Sequence, residues 1–335
     1  MKHTTIIDIA KKLGISASTV SRALSNHPDI KASTKNQIKK LARELKYNPN
    51  PMAQSLKNNK TTMIGVIVPV IKHDFFAYAI SGIEEVAYQS GYTIIVCQSN
   101  ESYEREVVNT NALIRQRVAG IIASISQSTN NSEHFRAVID HGIPLVFFDR
   151  EIKDINTSKV IIDDAKSARM AVNHLIDRGY KSIAHFAGPK SLTICELRLK
   201  GYTEALKNAH IPLNDDLILF GGMDESDGYR TMDTLIKKKI KIDAIFAVND
   251  PVAIGAYQRI KEAGLKIPSE IGIVGFSNNK ITNLVEPGLT TVDQPSYEMG
   301  KIAAEVLIKL IGNGNKSLKA KKIILDTKLV IRGST

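Results

Sequence analysis

Six neighbouring residues carry the chemistry that is easiest to read. Ser16, Ala17, Ser18, Thr19, Ser21 and Arg22 form a short polar stretch interrupted only by Val20. Hydroxyls at this density suit phosphate oxygens and base edges, and an arginine can fork onto guanine O6 and N7. Bond-making chemistry has no comparable signature. The sequence has no GxSxG elbow, Walker loop, HExxH or paired-cysteine motif, each of which has a fixed spacing imposed by its mechanism. Gly221 and Gly222 alone are too little to cradle a phosphate. A non-enzyme without metal or cofactor is expected.

The polar stretch needs a helix to present it. Thr4 or Thr5 can cap a helix starting at Ile6, in which Ile6, Ile9, Ala10 and Leu13 recur at helical spacing. Gly14 supplies the left-handed residue that ends it. A second helix starts at Ser16, with Val20, Ala23 and Leu24 facing inward and Ile15 plugging the turn. A third runs from about Thr34 to Lys46 through Ile38, Leu41, Ala42 and Leu45. Helix, glycine turn, helix is the helix-turn-helix pattern. A three-helix unit with merely solvated serines is the plain alternative. Charge weighs against it: residues 1–60 hold twelve Lys and Arg against three acids, so +9 of the chain's +11 sits there. A basic module on a near-neutral body is an electrostatic footprint for phosphates.

From Thr62 short β-branched runs alternate with amphipathic helical stretches: Met63–Val70, Tyr92–Cys97, Gly120–Ile125, Pro144–Phe148, Val160–Ile162, Ile183–Ala187, Ala244–Val248 and Ile271–Phe276. Repeated βα units imply doubly wound parallel sheets. Ligands of such sheets sit at the carboxyl ends of strands. His73, Phe75 and Phe76 follow the first run, Ser124 the third and Asp149 with Arg150 the fourth. Phe75 and Phe76 could stack on a ligand or fill the core, Asp149 could be a cap or an ion pair, and His73 lacks the company a metal ligand needs.

Two segments make the reading specific. Thr5 to Leu24 (TIIDIAKKLGISASTVSRAL) and Leu45 to Leu56 (LKYNPNPMAQSL) resemble the head of the lactose-repressor/galactose-repressor (LacI/GalR) family, and the resemblance extends over nearly the whole chain. It implies a helix-turn-helix domain at 1–47, a hinge at 48–61 and a periplasmic-binding-protein-like core at 62–335. The core would consist of one subdomain at about 62–159 and 290–320 and another at about 160–289 and 321–335. Pro49 and Pro51 break the third helix, and the resemblance makes the following segment a hinge helix that enters the minor groove. There Leu56 would be the wedge and Ala53 the small contact between paired hinges. Lys57 matches members that favour a central CG step. Asn50, with Thr5, joins the DNA-contacting set.

In the core, the resemblance adds Arg198, Asn249 and Ser277 to His73, Phe75, Phe76, Ser124 and Asp149 as effector-binding residues. Arg198 could instead be a solvated helix residue, and Asn249 a helix cap. Ser277 replaces an acid that clamps sugar hydroxyls in relatives. The implied partners are an operator duplex, a second copy of the chain and a small effector: a sugar, sugar phosphate or nucleobase-like compound. A co-regulator protein is a further possibility. The two cysteines, Cys97 and Cys195, lack metal spacing, no apolar run approaches a membrane span, and no secretory leader is evident. A cytoplasmic, nucleoid-associated protein without a membrane partner is expected.

Overall fold

Thr5 begins the first helix as a reciprocal cap. Its hydroxyl accepts from Asp8 N at 3.3 Å, and its own N–H donates to Asp8 Oδ2 at 2.8 Å. The computed structural model describes residues 4–45, 47, 61–313 and 319–335. It divides into two compact units, Met1–Thr61 and Thr62–Thr335, each described on its own below.

The first unit holds α1 (Ile6–Leu13), α2 (Ala17–Leu24) and α3 (Ala32–Glu44). Gly14 ends α1 in the left-handed region at φ 63°. Ile9, Ala10, Val20, Ala23, Ile38 and Ala42 form the core, and Ile15 and Tyr47 pack against it. The third helix starts two residues before its expected position.

The second unit consists of two lobes, each with a six-stranded sheet. Its elements run β1 (Met63–Val68), α4 (Asp74–Gln89), β2 (Thr93–Gln98), α5 (Tyr103–Arg115), β3 (Gly120–Ala123), α6 (Glu133–Asp140), β4 (Leu145–Phe148) and β5 (Ser158–Ile162). They continue with α7 (Asp164–Asp177), β6 (Ile183–Gly188), α8 (Thr193–Asn208), β7 (Ile218–Phe220), α9 (Glu225–Lys237), β8 (Ala244–Ala247), α10 (Asp250–Glu262) and β9 (Gly272–Phe276). Last come β10 (Thr290–Asp293), α11 (Ser296–Gly312), β11 (Lys322–Leu325) and β12 (Lys328–Val330). The first sheet is ordered β11-β5-β4-β3-β1-β2 and the second β12-β10-β9-β8-β6-β7. All pairings are parallel except β12 against β10. Their central strands are near-continuous apolar runs because helices cover both faces.

The chain crosses between lobes three times: after β5, after β10 and between β11 and β12. Three expected boundaries move as a result. The Val160–Ile162 run pairs with β4 in the first sheet, not the second. Of the last two strands, only β12 joins the second sheet; β11 pairs with β5 in the first. Residues 290–293, expected in the first subdomain, form a strand of the second sheet.

Glycines let three helix pairs approach backbone to backbone. A Cβ on Gly255 of α10 would lie 1.8 Å from the Glu225 carbonyl of α9, and one on Gly228 would lie 1.9 Å from Val252 O. Gly82 and Gly300 join α4 to α11 in the same way, and Gly201 joins α8 to α7.

His185 is wholly buried on β6, stacked between Tyr202 and Phe246, with Nδ1 3.0 Å from Phe246 O. Burial pushes its pKa from 6.5 down to about 4. The neutral ring therefore stabilises the fold fully above pH 6.5, and this contribution is lost as pH falls towards 4. His185→Asn, which keeps a donor near Nδ1, is expected to remove about 3 kcal/mol of acid sensitivity. Acid titrations of both proteins check this; unchanged acid midpoints relative to neutral stability would refute it.

Candidate functional site

The first site is the outer face of α2. Ser16 caps this helix, accepting from Thr19 N at 3.1 Å, and its hydroxyl lies 2.8 Å from both Ser18 Oγ and Thr19 Oγ1. Three hydroxyls thus cluster where the helix N–H groups point outward, the end of a helix that favours anions. Ser16, Ala17, Ser18 and Arg22 are exposed, Thr19 and Ser21 half-buried. Behind them Lys39 Nζ holds Asn26 Oδ1 at 2.7 Å, fixing the turn that follows α2. Polar atoms and a guanidinium therefore stand on one side of a rigid apolar wedge, the form required to enter a major groove.

The second site is the cleft between the lobes, about 380 Å³ with its open mouth included. The first lobe contributes His73, Phe75 and Phe76 from the start of α4, and Asp149 and Arg150 from the end of β4. From the second come Ile194 and Arg198 of α8, Met223 just before α9, Asn249 and Pro251 at the start of α10, and Ser277 and Asn279 after β9. Gln294 stands on the second crossing.

Arg198 is 2% exposed. Its Nε and Nη2 each lie 2.8 Å from Asp164 Oδ1, Nη1 donates to Val248 O at 2.6 Å, and the guanidinium sits 3.8 Å over the Phe276 ring. Burial pushes the Asp164 carboxyl up to about 6, against the pull of Arg198. Arg150 donates to both oxygens of Glu101, at 2.9 and 3.0 Å. Burial raises Asp149 despite the nearby Arg150 and Arg198. On the rim, burial lowers the His73 pKa although Asp224 lies 3.1 Å away.

Backbone strain reaches the cleft at Asp149 and Ser277. Asn100, Glu101, Asp149, Ser277 and Asn278 all have positive φ, Ser277 at 120°. All follow strand carboxyl ends. Such geometry persists only where the surroundings enforce it, here to aim Glu101, Asp149 and Ser277 at their partners.

Both units match known proteins. The pattern described as "Bacterial regulatory proteins, lacI family" matches residues 5–50, and "Periplasmic binding protein-like domain" matches 172–335. The HTH-type transcriptional repressor CytR of Escherichia coli (strain K12) is 32% identical over 345 aligned positions, covering 99% of this chain and 96% of that protein. The chain belongs to the lacI family. The HTH-type transcriptional repressor PurR of Histophilus somni is 31% identical, with 98% of each covered. The Lac repressor dimer bound to operator and the anti-inducer ONPF superposes with a TM-score of 0.85 at 26% identity, covering 99% of both chains. As a lacI-family member this chain is a DNA-binding transcription regulator and not an enzyme.

In this lacI-family chain the cleft gathers seven of the eight residues expected there: His73, Phe75, Phe76, Asp149, Arg198, Asn249 and Ser277. Ser124 is the exception. It is fully buried, its hydroxyl lacks a partner among the described residues, and it does not line the cleft. Ser124→Ala is expected to raise stability by about 1 kcal/mol by removing a buried unmatched hydroxyl; a lower Tm would refute this. Arg198 is no solvated helix residue, and Asn249 serves twice, capping α10 through Val252 N at 2.9 Å while facing the cleft. The Thr5 hydroxyl is engaged in capping α1. Asn50, Ala53, Leu56 and Lys57 lie outside the described residues. The sequence reading missed Ile194, Met223, Pro251, Asn279 and Gln294. Gln294 could have been found, because it is a polar residue just past position 290, where the chain was expected to return to the first subdomain. Met223 is apolar and follows an unremarkable glycine pair, so no signal marked it.

Proposed function

We propose that the chain is a repressor that binds a near-palindromic operator with a central CG step as a homodimer, controlled by a small, sugar-like effector in the interlobe cleft. The polar outer face of α2 carries the reading: it is a rigid recognition surface on a unit holding most of the chain's net charge. Thr5, Ser16, Thr19 and Ser21 position the head on phosphates, while Ala17, Ser18 and Arg22 read bases. The hinge contributes Asn50, Ala53, Leu56 and Lys57, with Leu56 as a minor-groove wedge that bends the duplex.

Two-fold symmetry of the operator follows from two-fold symmetry of the protein. An apolar surface on the second unit supports the dimer. Tyr78 of α4, Tyr297 of α11, Ile71, Ile281 and Leu284 are exposed. Gly82 packs on Tyr297 O, and Asp74 accepts from Lys280 N, which ties these segments into one neighbourhood across both lobes. The relatives support a repressor, and the cleft, lined from both lobes, supports effector control. A ligand there would bias the lobes' relation, coupling the two sites. Such a protein works in the cytoplasm, on the nucleoid.

Selection of bound sequences from random duplex DNA with the purified full chain tests the reading. A two-fold palindrome centred on CG is expected. An asymmetric motif would overturn the homodimeric readout, and no enrichment with or without added metabolites would overturn the operator-binding reading. Arg22→Ala is expected to relax base preference at one position in each half-site, by about 1–3 kcal/mol. An unchanged motif after selection would refute that role.

A further inference from the structure

The chain enters the first lobe at the amino ends of its strands. Thr62 O accepts from Thr93 N at 2.8 Å, and Met63 opens β1. In a parallel sheet these ends form the pole opposite the cleft, where the loops leading into the strands gather. Arg115, Arg117, Lys309, Lys319, Lys321 and Lys322 stand in those loops or at the element ends beside them. All are exposed, and none has an ion-pair partner among the described residues. Other cations of the lobe are engaged: Arg136, Arg150, Lys159 and Lys301 each lie beside an acid. Among the described residues of the same loops and last helical turns, Asp140 is the single acid. This cluster of one sign stands on a unit that holds only +2 of the chain's +11.

Helix electrostatics accounts for part of it. Arg115 and Lys309 stand in the last turns of α5 and α11, where free carbonyls attract cations. Arg117, Lys319, Lys321 and Lys322 lie beyond those helices. Arg117 also sits there at a backbone cost, with φ at 53°. At the same pole α4 and α6 are followed by Gly91 and Gly142, at φ 78° and 70°. Glycine adopts this left-handed region freely and arginine does not, and no contact inside the fold uses the Arg117 guanidinium.

We propose that this pole is a second DNA-contacting surface, one that meets phosphates of the duplex bound by the head and adds affinity without reading sequence. The proposal rests on the reading of the head as an operator binder. Charge and the course of the chain both favour duplex DNA as the occupant: the pole is basic, and it is where the polypeptide arrives from the DNA-binding unit. The pole at the amino ends of the second lobe's strands provides a matched control. It carries Lys238, Lys239 and Lys241, all exposed, with Lys239 likewise left-handed at φ 55°, but the head is not joined to it.

The salt dependence of DNA binding by the full chain tests this. Affinity for the selected operator and for a random-sequence duplex of equal length is measured from about 50 to 200 mM salt. Replacing Arg117 by Gly, Lys319 by Ala and Lys321 by Ala together is expected to lower the slope of log affinity against log salt by about 2 or more, on both duplexes, because each phosphate contact contributes about 0.9. The selected motif should not change, since phosphates position a protein without specifying bases. The control replaces Lys238 by Ala, Lys239 by Gly and Lys241 by Ala, removing the same charge and relieving the same backbone conformation, and should keep the wild-type slope. Equal losses in both variants would overturn the proposal, because net charge and not the pole would then decide. An unchanged slope in the first variant would overturn it too and leave the cluster to an acidic protein surface. Arg117→Gly alone guards against misfolding: it is expected to keep or raise Tm and still lower the slope by about 1. A lower Tm with an unchanged slope would give that arginine a structural role and overturn the proposal. A wild type that selects no operator would overturn the operator reading, and the random duplex would still decide whether the pole touches DNA.

Discussion

Arg198→Ala is expected to abolish the response of operator binding to effector and to destabilise the second unit by about 3–5 kcal/mol. Most of the second effect comes from what the substitution leaves behind. Asp164 is 3% exposed and has Arg198 as its ion-pair partner through two guanidinium nitrogens. Without Arg198 a buried carboxylate stands uncompensated. Its pKa, already pushed up to about 6 by burial, rises further. Protonation then relieves part of the cost, so the Tm deficit of the variant is expected to shrink between pH 7 and pH 5. Adding Asp164→Asn should recover much of the stability without restoring the response, which separates the arginine's two roles. The head has its own core, so operator binding without effector should survive in the double variant. A single variant melting like the wild type at pH 7 would refute the ion-pair argument, and an intact dose response in the double variant would move the effector site elsewhere.

Gly255→Ala is expected to destabilise the same unit by about 3 kcal/mol. In an exposed helix this change would have the opposite sign, gaining about 1 kcal/mol from helix propensity. Here the new methyl would stand 1.8 Å from Glu225 O and 2.8 Å from Tyr229 N. Both are backbone atoms, so no side chain can swing away and the two helices must part. Gly312→Ala is the internal control, since a Cβ there meets nothing within 4 Å; it should leave Tm unchanged or raise it slightly. Equal effects at the two positions would mean that helix propensity alone decides and that the close approach of α9 and α10 is not tight.

The head was legible because its determinants are local. Thr5, Gly14 and Ser16 act on backbone within a few residues of themselves, and the inward positions repeat at 3.6. The cleft was legible in part for a related reason: His73, Asp149, Asn249 and Ser277 follow strands, and strand ends converge in a parallel sheet. Residues elsewhere in the path, such as Ile194 on α8, carry no mark of their destination. Sheet membership was harder still. The Val160–Ile162 run has the same composition whichever lobe it joins, and what decides is its pairing between β4 and the distant Lys322–Leu325. The glycine contacts were hidden for the same reason. Gly228 and Gly255 read as weak points of their helices until the two helices are seen to cross at them. Ser124 failed as a cleft residue because a strand end has two faces, and its own face turns into the core.

The crossings also set an order of events during synthesis. The head's core is complete once the first helices have left the ribosome, so it can fold while the rest is still being made. The first lobe cannot. Its β5 gains its outer neighbour, β11, only when residues 322–325 emerge, and α11, which packs against α4, is made almost as late. Until then a nearly complete parallel sheet exposes one edge and one apolar face, the condition in which nascent chains associate wrongly. A lobe that is first in the sequence is thus among the last parts to be finished. The operator-reading end exists, folded and basic, well before the device meant to control it.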